Sequence, residues 1–267
     1  MEVKFENVSF VKRLKSMLFV DFRRMFTMSF IYIMLGISFV MPILILVMTT
    51  MMDGTVSVDP NTGKETVIEG FKNVWQIIGT TSNSSSTMSM DLTSMCNINM
   101  LYFIIAVVVA IFISEDFRSG YAKNLFAMRS KKNDYVISKT IVSFVGGALM
   151  ILAFFVGAMI GGKIAGLPFD LGNTKVDNVV MCIISKVLLV LVFVPIFIVM
   201  SVVGKQRLWL SLVCSFGLSM LLFTMVPMIT PLDSTFMNVI LCLAGGSLFS
   251  IGIGAISNIV LNKTNIL

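Results

Sequence analysis

Apolar and polar positions fall into long blocks along this chain. Uncharged stretches run from Arg24 to Asp53, Asp91 to Glu115, Lys139 to Lys163, Lys186 to Lys205, Arg207 to Asp233 and Asp233 to Lys263. They enclose 28, 23, 23, 18, 25 and 29 residues. About 20 residues of helix cross roughly 30 Å of hydrocarbon. The strict alternation of membrane β-barrel strands is absent. The pattern predicts six transmembrane helices, at about 28–51, 97–114, 136–161, 181–204, 208–228 and 236–260. The expected fold is an all-α polytopic membrane protein. Residues 1–27 form its interfacial part, 28–267 its membrane domain, and 52–96 one long extracellular loop.

A helical period also marks the segment before the first span. Val11, Leu14, Leu18, Phe22 and Met25 recur at spacings of three and four, while Lys12, Lys15, Arg23 and Arg24 fall largely off that stripe. This predicts an amphipathic helix in the cytoplasmic interface, its basic groups at anionic lipid head groups. It is either a simple anchor or a lever that meets a cytoplasmic partner. The 52–96 loop opens on turn-forming residues (Asp53, Gly54, Asp59, Pro60, Asn61, Gly63). A short helical piece is expected around Phe71–Ile78, followed by the polar tract Thr80–Thr87. Its length suits capping an exit path or contacting another subunit.

Composition supports the membrane reading. Of 267 residues 57% are hydrophobic and 13% charged, and mean hydropathy is +0.95. A soluble domain carries about 25% charged residues, so a soluble enzyme, a disordered chain and a disulfide scaffold are excluded. There is no histidine, which removes imidazole acid–base and metal chemistry. Of the four cysteines, Cys96, Cys182, Cys214 and Cys242, the last three sit in apolar runs without C-x-x-C spacing and read as small buried hydrophobes. Met88, Met90, Met95, Cys96 and Met100 cluster before the second span. Soft sulfur ligands select Cu(I), but methionine is 22 of 267 residues, so chance clusters are expected and no metal site is assigned. The first 26 residues are charged and amphipathic, so no cleavable secretory leader is expected. No G-x-x-x-x-G-K-[ST] phosphate loop is present. No catalytic or cofactor-binding residues are assigned.

The net charge of +6 sets orientation. Fifteen Lys and Arg flank the spans on the side of the termini, in the segments before span one, between spans two and three, between spans four and five, and after span six. The opposite loops hold only Lys64, Lys72, Lys163 and Lys175. This bias places both termini in the cytoplasm of a multi-pass bacterial plasma-membrane protein. The charges are spread over several membrane-proximal segments, so no nucleic-acid partner is expected.

The richest segment is Ser114–Lys139, SEDFRSGYAKNLFAMRSKKNDYVISK. Ser114, Glu115 and Asp116 suit a helix start, with a capping oxygen and acids in the first turn. Phe117, Tyr121, Leu125 and Met128 form a narrow apolar stripe. Gly120 in mid-helix costs about 1 kcal/mol relative to alanine and suggests close backbone approach. Lys123, Arg129, Lys131 and Lys132 make the far end basic. One reading is a positive-inside loop with an interfacial helix. Another is a helix, 115–132, that docks on a second protein.

The run Glu115–Leu125, E-D-F-R-S-G-Y-A-K-N-L, resembles ABC-2-type permeases, the membrane subunits of one class of ABC exporters. In that family an acidic residue follows the second span. Then come a glycine followed by a small or hydroxyl residue, a Lys–Asn type of pair, a basic stretch and a lysine leading into span three. Glu115, Gly120, Lys123–Asn124, Arg129–Lys132 and Lys139 stand in those places; Tyr121 replaces the usual threonine. Six spans, inward termini, an N-terminal interfacial helix and a long first outer loop resemble the same family. The resemblance implies a permease paired with separate ABC ATPase subunits that carry ATP and magnesium. Residues 115–132 would be the coupling helix, with Glu115, Asp116, Phe117, Arg118, Gly120, Tyr121, Lys123, Asn124 and Leu125 facing the ATPase. Two permease copies, identical or related, would enclose the pathway among membrane lipids.

Ions inside spans are expensive and mark function. Lys186 is the exception here. Counted outward from Gly204 it lies near the outer edge, where it snorkels or serves the pathway or an inter-subunit contact. Asn97 and Asn99 either cap span two or hydrogen-bond across a dimer interface. Pro42 and Pro195 interrupt spans one and four. Gly157, Gly161, Gly162 and Gly166, and Gly245, Gly246, Gly252 and Gly254, read as close helix packing or as a hinge. The expected function is the permease of an exporter for an amphipathic or hydrophobic cargo (peptide, lipid-like molecule or drug), with self-immunity a second role. A non-transporting scaffold or assembly factor and an ion-coupled carrier are the competing classes.

Overall fold

A computed structural model describes residues 9–58, 65–67, 70–79, 96–127, 132–171, 174–204, 207–223 and 226–263. Its helices are α1 (Phe10–Thr27), α2 (Ser29–Met52), α3 (Leu101–Arg118), α4 (Tyr121–Ala127), α5 (Lys132–Ala165), α6 (Val176–Gly204), α7 (Leu208–Phe223), α8 (Val226–Ile229) and α9 (Phe236–Lys263). Among the described residues, five segments are long and apolar enough to cross a membrane: Ser29–Met52, Ile98–Arg118, Lys132–Ala165, Val176–Gly204 and Phe236–Leu261. The expected span at 208–228 is built differently. α7 has 16 residues, about 24 Å of helix, and the four-residue α8 follows.

Two spans are longer than charge counting suggests. α5 begins at Lys132 and α6 at Val176, so each carries a lysine inside the helix. Pro42 and Pro195 sit within continuous helices and are buried. α3 and α6 form the centre, with 67% and 61% of their most apolar windows buried. α2 and α9 flank it at 22% and 11%. Their outer faces display Ile33, Leu44 and Met48, and Leu241, Leu248 and Ile251. Such faces suit hydrocarbon.

The glycines of α5 are packing sites. A Cβ on Gly157 would stand 2.1 Å from the Phe39 carbonyl oxygen, and one on Gly161 2.8 Å from Ile43 Cα. α2 and α5 therefore meet backbone to backbone, as small-x-x-x-small spacing allows. Gly162 makes the same room for Val74. Gly245 and Gly252 of α9 have nothing within 4 Å of a Cβ, so they are not a packing motif within this chain. Gly166, at φ +69°, ends α5.

The long loop departs from an all-helical picture. Val56–Val58 (β1) pairs antiparallel with Glu65–Val67 (β2), Val56 opposite Val67. The helical piece expected at Phe71–Ile78 is a single 3-10 turn, Val74–Ile77. It is seated on the bundle: Phe71, Val74, Ile77 and Ile78 are buried. The Trp75 indole N–H donates to the Phe169 carbonyl at 3.0 Å, and the Asn73 amide donates to Asp170. The Asp53 carboxylate accepts from Gly70 N–H at 2.8 Å, drawing this part of the loop back to α2. The Thr80–Thr87 tract and Met88, Met90 and Met95 lie outside the described residues.

Replacing Gly157 with alanine should destabilise the protein by about 1–3 kcal/mol, because the new methyl meets a fixed backbone oxygen. The same change at Gly245 should be neutral or slightly stabilising, since alanine is the better helix former. Paired thermal-unfolding midpoints in neutral detergent measure the contrast.

Candidate functional site

Buried polar chemistry gathers at two ends of the bundle. The first cluster lies where α1 crosses the last turn of α3 and the first turns of α5. α1 buries Met17, Asp21 and Met25, spaced four apart, so an aspartate falls on the face that meets the core. Asp21 is 0% exposed. Its Oδ1 accepts from Lys139 Nζ at 2.8 Å and its Oδ2 from the Ser138 hydroxyl at 2.6 Å. Lys139 is equally buried and also reaches Asp116 Oδ2 at 2.7 Å. The Tyr135 hydroxyl donates to the same oxygen at 2.8 Å, and Arg24 donates to Asp116 Oδ1 at 2.7 Å.

Two cations and two carboxylates thus balance, each paired. The Lys139 ammonium also lies 3.9 Å from the centre of the Phe112 ring, and the Arg24 guanidinium 3.8 Å from that of Tyr121. Tyr121 is the first residue of α4, so this stacking joins α4 to the charge cluster. Burial first, and then the Asp21 charge, push the Tyr121 phenol above its ordinary pKa. It stays neutral against the guanidinium. A further pair, Arg13 to Asp134 at 2.9 Å, pins the start of α1 to the start of α5. Lys132 Nζ donates to the Leu261 carbonyl at 2.7 Å, bringing in the end of α9.

The second cluster surrounds Lys186 at the opposite end, near the loop. Its Nζ donates to Asn99 Oδ1 at 3.1 Å and to Thr230 Oγ1 at 2.9 Å. The Tyr102 hydroxyl donates to the Lys186 carbonyl at 2.9 Å. Lys186 is 1% exposed and does not snorkel. α6 starts ten residues before it, which sets it about 15 Å inside the helix. Asn97 accepts from Asn99 N–H and caps the 3-10 turn Ile98–Met100 that leads into α3. Both asparagines are buried within one chain, Asn97 as a cap and Asn99 as a ligand of the lysine.

The residues expected to form a docking helix are divided by the structure. Ser114, Glu115 and Asp116 lie in the last turn of α3 and do not start a helix. α3 ends at Arg118, where Ser119 N–H donates to the Glu115 carbonyl at 2.9 Å. Gly120 follows at φ +73° with open space around it. Its role is the left-handed turn after a helix end, not close backbone approach. Asp116 and Phe117 are buried and belong to the cluster's core. The outward edge consists of Glu115, Arg118, Lys123 and Asn124, beside partly covered Tyr121 and Leu125. Glu115 and Arg118 stand 4.0 Å apart. Met128, Arg129 and Lys131 lie outside the described residues. Reading Arg24 as a head-group charge and Lys139 as a positive-inside charge leaves out their partners. The signal available was Asp21, an acid on the apolar stripe of a basic helix, with an unmatched lysine entering span three.

Removing Lys139 leaves Asp21 and Asp116 buried with one cation between them. Lys139→Met should cost about 3–5 kcal/mol, and adding Asp21→Asn should recover part of it. A double-mutant cycle on thermal unfolding in detergent measures the coupling, and additive effects would contradict the shared ammonium.

A family model described as ABC-2 family transporter protein matches residues 22–222, well over half of the chain. No curated protein and no solved structure matches. The matched region takes in the last turn and a half of α1, α2 to α6 and nearly all of α7, and with them Arg24, Asp116, Gly120, Lys139 and Lys186. The chain belongs to the ABC-2 transporter family, the permease components of ABC transporters.

Proposed function

We propose that this chain is the permease of an ATP-driven exporter in a bacterial plasma membrane, with both termini in the cytoplasm. Its coupling element is the corner Glu115–Ala127, docked on a separate ATPase that holds ATP and magnesium. The observation that carries this reading is the Tyr121–Arg24–Asp116–Lys139 chain. An exposed polar corner is joined by stacking and buried ion pairs to α1, α3 and α5 at once.

The mechanism follows from the energetics. Buried pairs are costly to break singly, so a push on α4 moves α1, α3 and α5 as one body. α2 follows α5 because their backbones touch at Gly157 and Gly161. Two copies with their apolar faces toward a shared path would present Met- and Phe-rich walls, which repack around varied shapes. That supports an amphipathic or hydrophobic cargo, such as an antimicrobial peptide, a lipid-like molecule or a drug, moved outward. Self-immunity against such a peptide is one use of this activity.

Affinity capture of the tagged chain from its native host tests the pairing, with an ABC ATPase as the expected companion; capture of none would refute the reading. Lys123→Glu reverses a charge on the exposed edge and should lower the captured ATPase about tenfold, with the unfolding midpoint unchanged. Gly120→Val strains a left-handed turn and should weaken capture as strongly. A scaffold would tolerate both changes. An ion-coupled carrier would keep transporting after ATP depletion while its gradient is held.

A further inference from the structure

Lys139 and Lys186 are both fully buried, yet their surroundings differ. Lys139 has two carboxylates. Lys186 has two neutral oxygens, those of Asn99 and Thr230, and among the described residues no carboxylate stands at ion-pair distance. An ammonium has three donors, and the described residues engage two of them. A cation this deeply buried, held only by neutral oxygens, is a place where a negative group gains much from arriving.

Part of the cover over this lysine is the turn that follows α8, where the Cys182 thiol donates to the Thr230 carbonyl at 3.7 Å. Thr230 follows the four-residue α8, and its hydroxyl already donates to Val226, so the oxygen that faces Nζ is a pure acceptor. The next residue but one, Leu232, lies against Gly79 of the loop, where a Cβ would stand 3.3 Å from its backbone nitrogen. Swinging the Thr230–Leu232 turn away would bare the ammonium. It would leave the Asn99 amide and Tyr102, held by the Lys186 carbonyl, as a fixed floor.

We infer that Lys186 is the recognition point for an anionic head, a phosphate or carboxylate carried on an apolar chain. This rests on the transporter reading and names the class of its cargo: an anionic amphiphile. Asn99 holds the ammonium in place when the head is absent. The head replaces Thr230 as its partner when the turn opens.

The test uses the full chain in neutral detergent and reads binding directly, without ATP or a partner. Phosphatidylglycerol and phosphatidylcholine with matched acyl chains are added, and the thermal midpoint is followed. The unaltered chain should gain about 2–4 °C more from the anionic lipid. Lys186→Met should abolish the difference and Lys186→Arg should keep it. Asn99→Asp gives the lysine an internal counter-charge and should also abolish it, which guards against a misfolded lysine variant. Head-group binding by the basic face of α1 is common to all variants and cancels in the comparison. A full difference persisting in both Lys186→Met and Asn99→Asp would overturn the proposal. So would a Lys186-dependent shift produced by inorganic phosphate alone, which has no chain. Either failure leaves ATPase capture untouched, and failed capture leaves this binding result untouched.

Discussion

One ammonium group organises the end of this protein where α1 lies. Lys139 Nζ is 2.8 Å from Asp21 and 2.7 Å from Asp116, with all three side chains out of solvent. A buried ion is tolerable only when its partners are in place. The carboxylates arrive from two different helices, so the lysine can be satisfied only if α1, α3 and α5 converge. Tyr135, Ser138 and Arg24 then donate further hydrogen bonds to the two carboxylates. The cluster fixes a geometry more than it adds stability. A well-packed apolar core would hold the three helices as firmly, but would accept many crossing angles.

That constraint changes what α1 is. Its residues divide into three faces: Met17, Asp21 and Met25 turned inward, exposed Val11, Phe19 and Phe26 on a second side, and exposed Lys12 and Arg23 beyond them. The apolar outer face and its basic border fit a membrane interface. The inner face makes the helix a strut. Anchor and lever, the two roles the periodicity left open, are faces of the same element.

The sequence made the membrane class, the N-terminal helix and most spans legible, because long apolar blocks have few folded alternatives. It misplaced the ions for a physical reason. Taking each charge as a span boundary assumes that charges avoid helix interiors. Lys139 is two turns inside α5 and Lys186 nearly three turns inside α6, where partners on other helices offset the burial. No one-dimensional count can see such partners. Gly120 stands out in the sequence without disclosing its reason, since a glycine for positive φ and a glycine for close approach look alike there. The docking segment split for the same cause: the acids of its first turn were the tail of α3.

The seam that remains is the one between this strut assembly and α6. Along its middle the contacts are apolar and aromatic: Tyr102 stacks on Phe193 with centroids 4.5 Å apart, and Ile105 and Val190 close over Gly147; at one end the Tyr102 hydroxyl and the Lys186 ammonium add polar contacts. Dispersion contacts are individually small and re-form after a slide, whereas the Asp21–Lys139–Asp116 triad has one good arrangement. On the proposed coupling, a force entering at α4 would spend itself at the α6 seam and not within the cluster. Lys186 sits on that seam, on α6, with one ligand before α3 and the other after α8. A shear between the two parts would change the shell of the ammonium together with the Tyr102–Lys186 hydrogen bond, the polar contacts that cross the seam at that end.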